Sequence, residues 1–299
     1  MAESWRGIFV IVVTPFTEGY DLDEASLRRV VRFCIEMGAH GLVGPANASE
    51  FATLSDDERR RWIEIVVAEA AGQVPVIAAT TSGHARPAAA LSRFAQEAGA
   101  DGVMAMPPPI LHLDADGCFA YYAEIARQLD IPIFVQNYMP PVGTPMSPEL
   151  LARMCREIPN VQYIKEETAP EPRQISATLA AAGDACLGVF GGQGGLYIID
   201  EHRRGAAGNM PACQATDVHV AIWERLEAGD EARARELYYR LLPLLNLERL
   251  YGVALYKEVL YRRGVIRSRV CRAPGRSLDD SDRVELEAIM KGVEPLFSR

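Results

Sequence analysis

The amino-acid sequence predicts a (β/α)8 barrel carrying a C-terminal helical extension. Three observations lead there. Eight short apolar runs recur along the first two-thirds of the chain, amphipathic segments with helix-start signals separate them, and after the eighth run the chain reads as helix after helix. The 299 residues, 49% of them hydrophobic and 24% charged, are enough to bury a large core. The division expected is a barrel over 1–225 and an extension over 226–299 packed against it.

The runs are IFVIVV from Ile8, GLVG from Gly41, VPVIAA from Val74, GVMAM from Gly102, IPIFVQ from Ile131, VQYIK from Val161, CLGVF from Cys186 and GAAGNM from Gly205. Their starts lie 33, 33, 28, 29, 30, 25 and 19 residues apart. Runs of this length without alternation suit strands buried on both faces, as in a parallel sheet. Between them, Asp23-Glu24 opens a helix that ends near Met37-Gly38. Ser55-Asp56-Asp57-Glu58 reads as a capping box before Trp62, Ile63, Val66 and Val67. Helices are further predicted over 85–98, 114–129, 147–156 and 171–182. In the extension they are predicted from Thr216 onward and over 232–247, 250–263 and 279–296. An open dinucleotide-binding sheet is the alternative fold, but Gly191-Gly192-Gln193-Gly194-Gly195 offers no GxGxxG register.

Net charge is −9, which works against nucleic acid or an anionic membrane as the main partner. The start of the sequence has no signal-peptide pattern and no run approaches ~18 apolar residues, so a cytoplasmic protein with no membrane partner is expected. The six cysteines, Cys34, Cys118, Cys155, Cys186, Cys213 and Cys271, form no CxxC or Cys/His cluster. Neither a metal nor a redox pair is expected, and buried small side chains are the reading. No cofactor is expected either.

Of the 31 cationic residues only Lys165, Lys257 and Lys291 are lysines, so a lysine inside an apolar run needs a reason. Lys165 ends VQYIK and shares one strand face with Val161 and Tyr163. Burial disfavours an ammonium, and a free amine attacks carbonyls to form a Schiff base. The other reading is a structural ion pair with Glu166 or Glu167. Glu167 lies on the Lys165 face, roughly 6–7 Å along the strand, and would act as general acid or base or simply hold the lysine. Glu166 would face the helices. The remaining strand-end candidates are Thr14, the segment 45–50, Thr80-Thr81, Gln136-Asn137-Tyr138 and the Gly191–Gly195 run.

Taken in order, GIFVIVVTPF, SEFATLSDDE, VPVIAATTSG, IPIFVQN, NVQYIKEE and the Gly-rich run after the seventh strand resemble the dihydrodipicolinate synthase / N-acetylneuraminate lyase family. The resemblance covers about residues 1–230 by motif order and continues into the helical tail. It implies a (β/α)8 barrel, a homotetramer, a small 2-keto acid substrate, and Lys165 as the Schiff-base lysine.

The departures from the family pattern narrow the reading. Where members that make or break carbon–carbon bonds carry Gly-Thr-Thr-Gly-Glu, this chain has Ala46-Asn47-Ala48-Ser49-Glu50. The strand-five tyrosine of the family's proton relay aligns with Gln136. The tyrosine after strand four falls in Pro107–Leu111, which has none, and the arginine some synthases use for a second carboxylate aligns near Pro141. Tyr138, two residues from the expected position, could substitute. Retro-aldol cleavage needs a base at the C4 hydroxyl, which an amide is not. Dehydration needs an acid there, a role for Glu167.

Gln136 with Glu167 therefore resembles the L-2-keto-3-deoxyarabonate dehydratase type. The alternatives are an aldolase or synthase with a rearranged relay, and a catalytically quiet keto-acid binder. Asn47, Ala48, Ser49, Tyr138 and Gly192 are the expected substrate-binding residues. The loop residues Asn47, Ala48 and Ser49 would hold the carboxylate, unless Asn47 and Ser49 only cap the turn.

Overall fold

The computed structural model describes residues 4–273, 275 and 277–298. Eight parallel strands close into a barrel in sequential order: β1 (Gly7–Ile11), β2 (Gly41–Gly44), β3 (Val76–Ala79), β4 (Gly102–Ala105), β5 (Ile133–Tyr138), β6 (Val161–Glu167), β7 (Gly188–Gly191) and β8 (Gly208–Asn209). Helices α1 (Glu24–Glu36), α2 (Asp56–Ala70), α3 (Ala85–Glu97), α4 (Ala115–Ala126), α5 (Pro148–Glu157), α6 (Glu171–Ala182), α7 (Ile198–Arg203) and α8 (Thr216–Glu227) follow the strands in turn. The extension adds α9 (Glu231–Tyr251), α10 (Val253–Arg262) and α11 (Asp280–Val293). Among the described residues no helix is long and apolar enough to cross a membrane.

Local chemistry explains most boundaries. Both bonds of the predicted capping box form at α2: the Ser55 hydroxyl accepts from the Glu58 N–H, and the Glu58 carboxylate accepts from the Ser55 N–H. Two expectations shift. The eighth run begins at Gly205, yet β8 is only Gly208–Asn209, because Gly205, at φ +90°, still belongs to the turn leaving α7. The six-residue α7 is too short to show periodicity in sequence and falls where no helix is predicted. Helix α9 continues through Pro243 to Tyr251 and stops at Gly252, whose φ of +51° a side chain would resist.

Two cores result. Inside the barrel, Phe9, Phe134, Tyr163 and Phe190 form an aromatic layer, with Phe134 and Tyr163 stacked at 4.7 Å and Phe9 edge-on to Phe190 at 5.1 Å. Trp5 stacks beneath on Tyr163 and Phe134, at 5.1 and 5.9 Å, and closes the N-terminal end. A larger core lies between strands and helices and runs on into α9, α10 and α11. The cysteines are all free, five of them buried in these cores or beside them.

The extension is fastened to the barrel by charge as well as by apolar packing. Arg263 pairs with Asp217 of α8 at 2.7 Å and lies over Phe33 and Phe297. Lys257, fully buried, donates to Glu50 at 2.6 Å and to the Val270 carbonyl at 2.7 Å, 4.3 Å from the centre of the Phe16 ring. Burial lowers the pKa of the Lys257 amine, and Glu50 works against that shift. Breaking such a pair leaves one buried charge without its counterion. Lys257→Met is therefore expected to cost ~3–5 kcal/mol, seen as an earlier denaturant midpoint. Glu50→Gln added to it should recover most of the loss. A single variant as stable as the parent would show that water already screens the pair.

Candidate active site

The site grows out of strand alternation on β6. Tyr163, Lys165 and Glu167 all point into the barrel, so Lys165 stands above the aromatic layer and Glu167 above Lys165 at the C-terminal mouth. The Lys165 Nζ lies 3.2 Å from Glu167 Oε2, and the two residues are only 4% and 5% exposed. Strand β5 pairs in register, Gln136 beside Lys165 and Tyr138 beside Glu167. The Gln136 amide donates to Glu167 Oε2 at 2.8 Å, and the Gln193 N–H donates to Oε1 at 3.3 Å. The Glu167 carboxylate is thereby fixed from three sides.

Glu166 points the other way. It accepts from Asn137 Nδ2 at 2.9 Å and from the N–H of Thr168 at 2.8 Å, and the Thr168 hydroxyl bonds to it as well. Burial pushes its carboxyl up to about 7 against the pull of these bonds. Asn137 also clasps both the N–H and the C=O of Met146, so this outward pair braces the loop after β5.

A cavity of about 370 Å³ opens over Lys165 and Glu167. Ile11 and Tyr138 reach it from the ends of β1 and β5, and Ala46, Asn47, Ala48, Gln193, Gly194, Met210 and Ala212 come from the segments that follow the strands. The remainder, Glu248, Arg249, Gly252 and Tyr256, comes from the extension. Burial raises the Tyr138 phenol, with Glu167 adding to the effect.

The structure brings Lys165, Glu167, Asn47, Ala48 and Tyr138 together on this cavity and leaves three other expected residues off its wall. Ser49 does not line it. Its hydroxyl donates to the Val12 carbonyl at 2.5 Å and its carbonyl accepts from Thr14 Oγ1 at 2.6 Å, so both groups are used in fastening the loop after β2 to β1. That corrects the expectation that Ser49 faces a ligand. Gln136 stands behind Glu167 and reaches the cavity through it. Gly192 packs against the Glu167 carboxylate, which a Cβ there would overlap, while its φ of −141° suits any residue. Its role is space. Gly192→Ala should push Glu167 off Lys165 and cost about 10²-fold in kcat, the scale of a 1 Å misplacement; unchanged kcat would mean that the loop yields instead. Thr80 and Thr81 are engaged with Ser92 and the Met106 N–H.

Gln193 falls within the Gly191–Gly195 run expected at a strand end, whereas sequence reasoning missed Glu248, Arg249 and Tyr256. These three lie beyond the barrel, where the strand-end rule does not reach. The available signal was the adjacent Glu248-Arg249 at the end of an apolar helical stripe, just before a glycine.

A closed eight-stranded barrel with a buried lysine and carboxylate at the C-terminal mouth is the setting of an enzyme of carbonyl chemistry. Residues 4–293 match the Dihydrodipicolinate synthetase family. The chain belongs to that family, and so to the lyases of class I aldolase type. It is 37% identical over 300 residues to an L-2-keto-3-deoxyarabonate dehydratase of Azospirillum brasilense, covering 98% of this chain and 96% of the relative. It is 34% identical over 249 residues to a 4-hydroxy-tetrahydrodipicolinate synthase of Nitratidesulfovibrio vulgaris, covering 80% of this chain and 82% of that one. A crystal structure of dihydrodipicolinate synthase from Rhodopseudomonas palustris superposes with a TM-score of 0.89 at 27% identity, over 96% of this chain and 97% of the other.

Proposed function

We propose that the protein is a hydro-lyase that dehydrates a 2-keto-3-deoxy sugar acid, L-2-keto-3-deoxyarabonate, to 2-oxoglutarate semialdehyde and water. The observation that carries this reading is the pairing at the lysine: the acid–base group beside Lys165 is the Glu167 carboxyl, and the neighbouring strand offers it an amide, Gln136, where an aldol relay needs a hydroxyl. The Azospirillum brasilense relative supports the same choice.

The chemistry follows from the geometry. The Lys165 amine adds to the C2 carbonyl and water leaves, giving an iminium that acidifies C3. Glu167, next to the nitrogen, takes a C3 proton and returns it to the C4 hydroxyl, which departs as water with the electron pair of the C4–O bond. A proton then leaves C5 and one is added at C3, giving the C4–C5 enol. The enol loses its O5 proton and gains one at C4 to become the aldehyde, and hydrolysis of the iminium frees the semialdehyde and the amine. Asn47 and Ala48, at the foot of the cavity loop, hold the C1 carboxylate.

Borohydride with pyruvate should add one ligand mass per chain, on the peptide that contains Lys165. With only two other lysines, Lys257 and Lys291, the mapping is unambiguous. Incubation with a panel of 2-keto-3-deoxy acids should then yield semialdehyde without pyruvate. Label on another lysine, or none, overturns the Schiff-base assignment. Release of pyruvate would favour the second reading, an aldolase or synthase, which the Tyr138 phenol on the cavity wall supports.

A further inference from the structure

Part of the cavity wall belongs to no strand or strand-end loop. Glu248 and Arg249 come from the last turn of α9 and Tyr256 from the first turn of α10, brought to one cavity by the break at Gly252. Their polar groups are organised. Gln214 Nε2 donates to Glu248 Oε2 at 2.9 Å, and the Tyr256 hydroxyl is hydrogen-bonded to the same carboxyl. Gly194 leaves the room that Glu248 Oε1 occupies, since a Cβ there would meet it at 2.5 Å. Burial lifts the Glu248 carboxyl to about 7. Arg249 is exposed and touches Gln193 Oε1 at 3.5 Å. Among the described residues no carboxylate lies within 4.0 Å of its guanidinium.

A carboxyl, a phenol and an unpaired guanidinium on one wall match a ligand that both donates and accepts without carrying charge of its own, which is what hydroxyl groups do. A second carboxylate would be drawn by Arg249 but opposed by Glu248 and Glu167 in the same cavity. We propose that Glu248, Arg249 and Tyr256 form the subsite that holds the vicinal hydroxyls at the far end of the keto acid. The extension therefore selects the substrate while the barrel performs the chemistry. This rests on the reading of Lys165 as the Schiff-base residue.

The test uses the full chain and two ligands that differ only beyond C3. Arg249→Met and Tyr256→Phe should each raise KM for the 4,5-dihydroxy keto acid about 10–100-fold, the worth of a hydrogen bond involving a charged or buried group. The concentration of pyruvate that half-saturates borohydride trapping should move far less, so that the ratio of the two constants changes by at least tenfold. Equal weakening of both ligands, or an unaltered KM for the dihydroxy acid, overturns the proposal. So does tighter binding of a keto acid ending in a carboxylate than of the dihydroxy acid by the unmodified protein. Failure of the unmodified protein to trap pyruvate would overturn the parent reading instead. The subsite is then decided by melting temperature: stabilisation by the dihydroxy acid that Arg249→Met abolishes upholds it, and stabilisation that survives the substitution overturns it.

Discussion

Lys165→Ala is expected to abolish turnover, a loss on the order of 10⁶-fold, as when a covalent nucleophile is removed from other enzymes, together with the borohydride-dependent mass gain. Lys165→Arg should rescue neither. A guanidinium would still pair with Glu167, 3.2 Å from the native ammonium, but it stays protonated and offers no lone pair to a carbonyl carbon. The two variants thus separate the structural ion pair from the chemistry. If Lys165→Arg restored turnover, the lysine would be acting as a charge and not as a nucleophile. Melting curves run beside the assays check that the buried Glu167 carboxylate, once deprived of its partner, has not unfolded the barrel.

Glu167→Gln should leave pyruvate trapping at Lys165 nearly intact and lower the dehydration rate ~10²–10⁴-fold, the usual worth of a positioned acid or base. The substitution keeps the shape and one of the two accepting oxygens, enough for the shorter bond from the Gln136 amide while the 3.3 Å bond from the Gln193 N–H is given up, and the transferable proton is lost. A variant that also fails to trap would show that Glu167 chiefly supports the lysine. One with near-normal dehydration would move the proton transfer to Tyr138.

The barrel could be read from the chain because its signals are local. Four- to six-residue apolar runs, caps such as Ser55 and Asp114, and the two-residue period that puts Tyr163, Lys165 and Glu167 on one face all lie within a few residues of what they specify. The scarcity of lysine made Lys165 conspicuous. The same scarcity gave no role to Lys257, whose partner Glu50 is 207 residues away and meets it only after the extension folds back. Ser49 was misplaced for a related reason. A hydroxyl beside a ligand and a hydroxyl tying two loops look alike in sequence, and the Val12 carbonyl that claims it sits on another strand end. Glu248 and Tyr256 were invisible because their convergence depends on how α9 and α10 turn about Gly252.

That convergence fixes a schedule for the protein's birth. A chain emerging N-terminus first exposes β1 to β8 and the lysine long before α9 and α10. Until residue 257 clears the ribosome, Glu50 waits without its counterion and the cavity lacks Glu248 and Tyr256. The barrel's share of the cavity, Lys165 and Glu167 included, is therefore synthesised before the wall that the extension contributes. A product ending before residue 248 would contain Lys165 and Glu167 but lack Glu248, Arg249 and Tyr256.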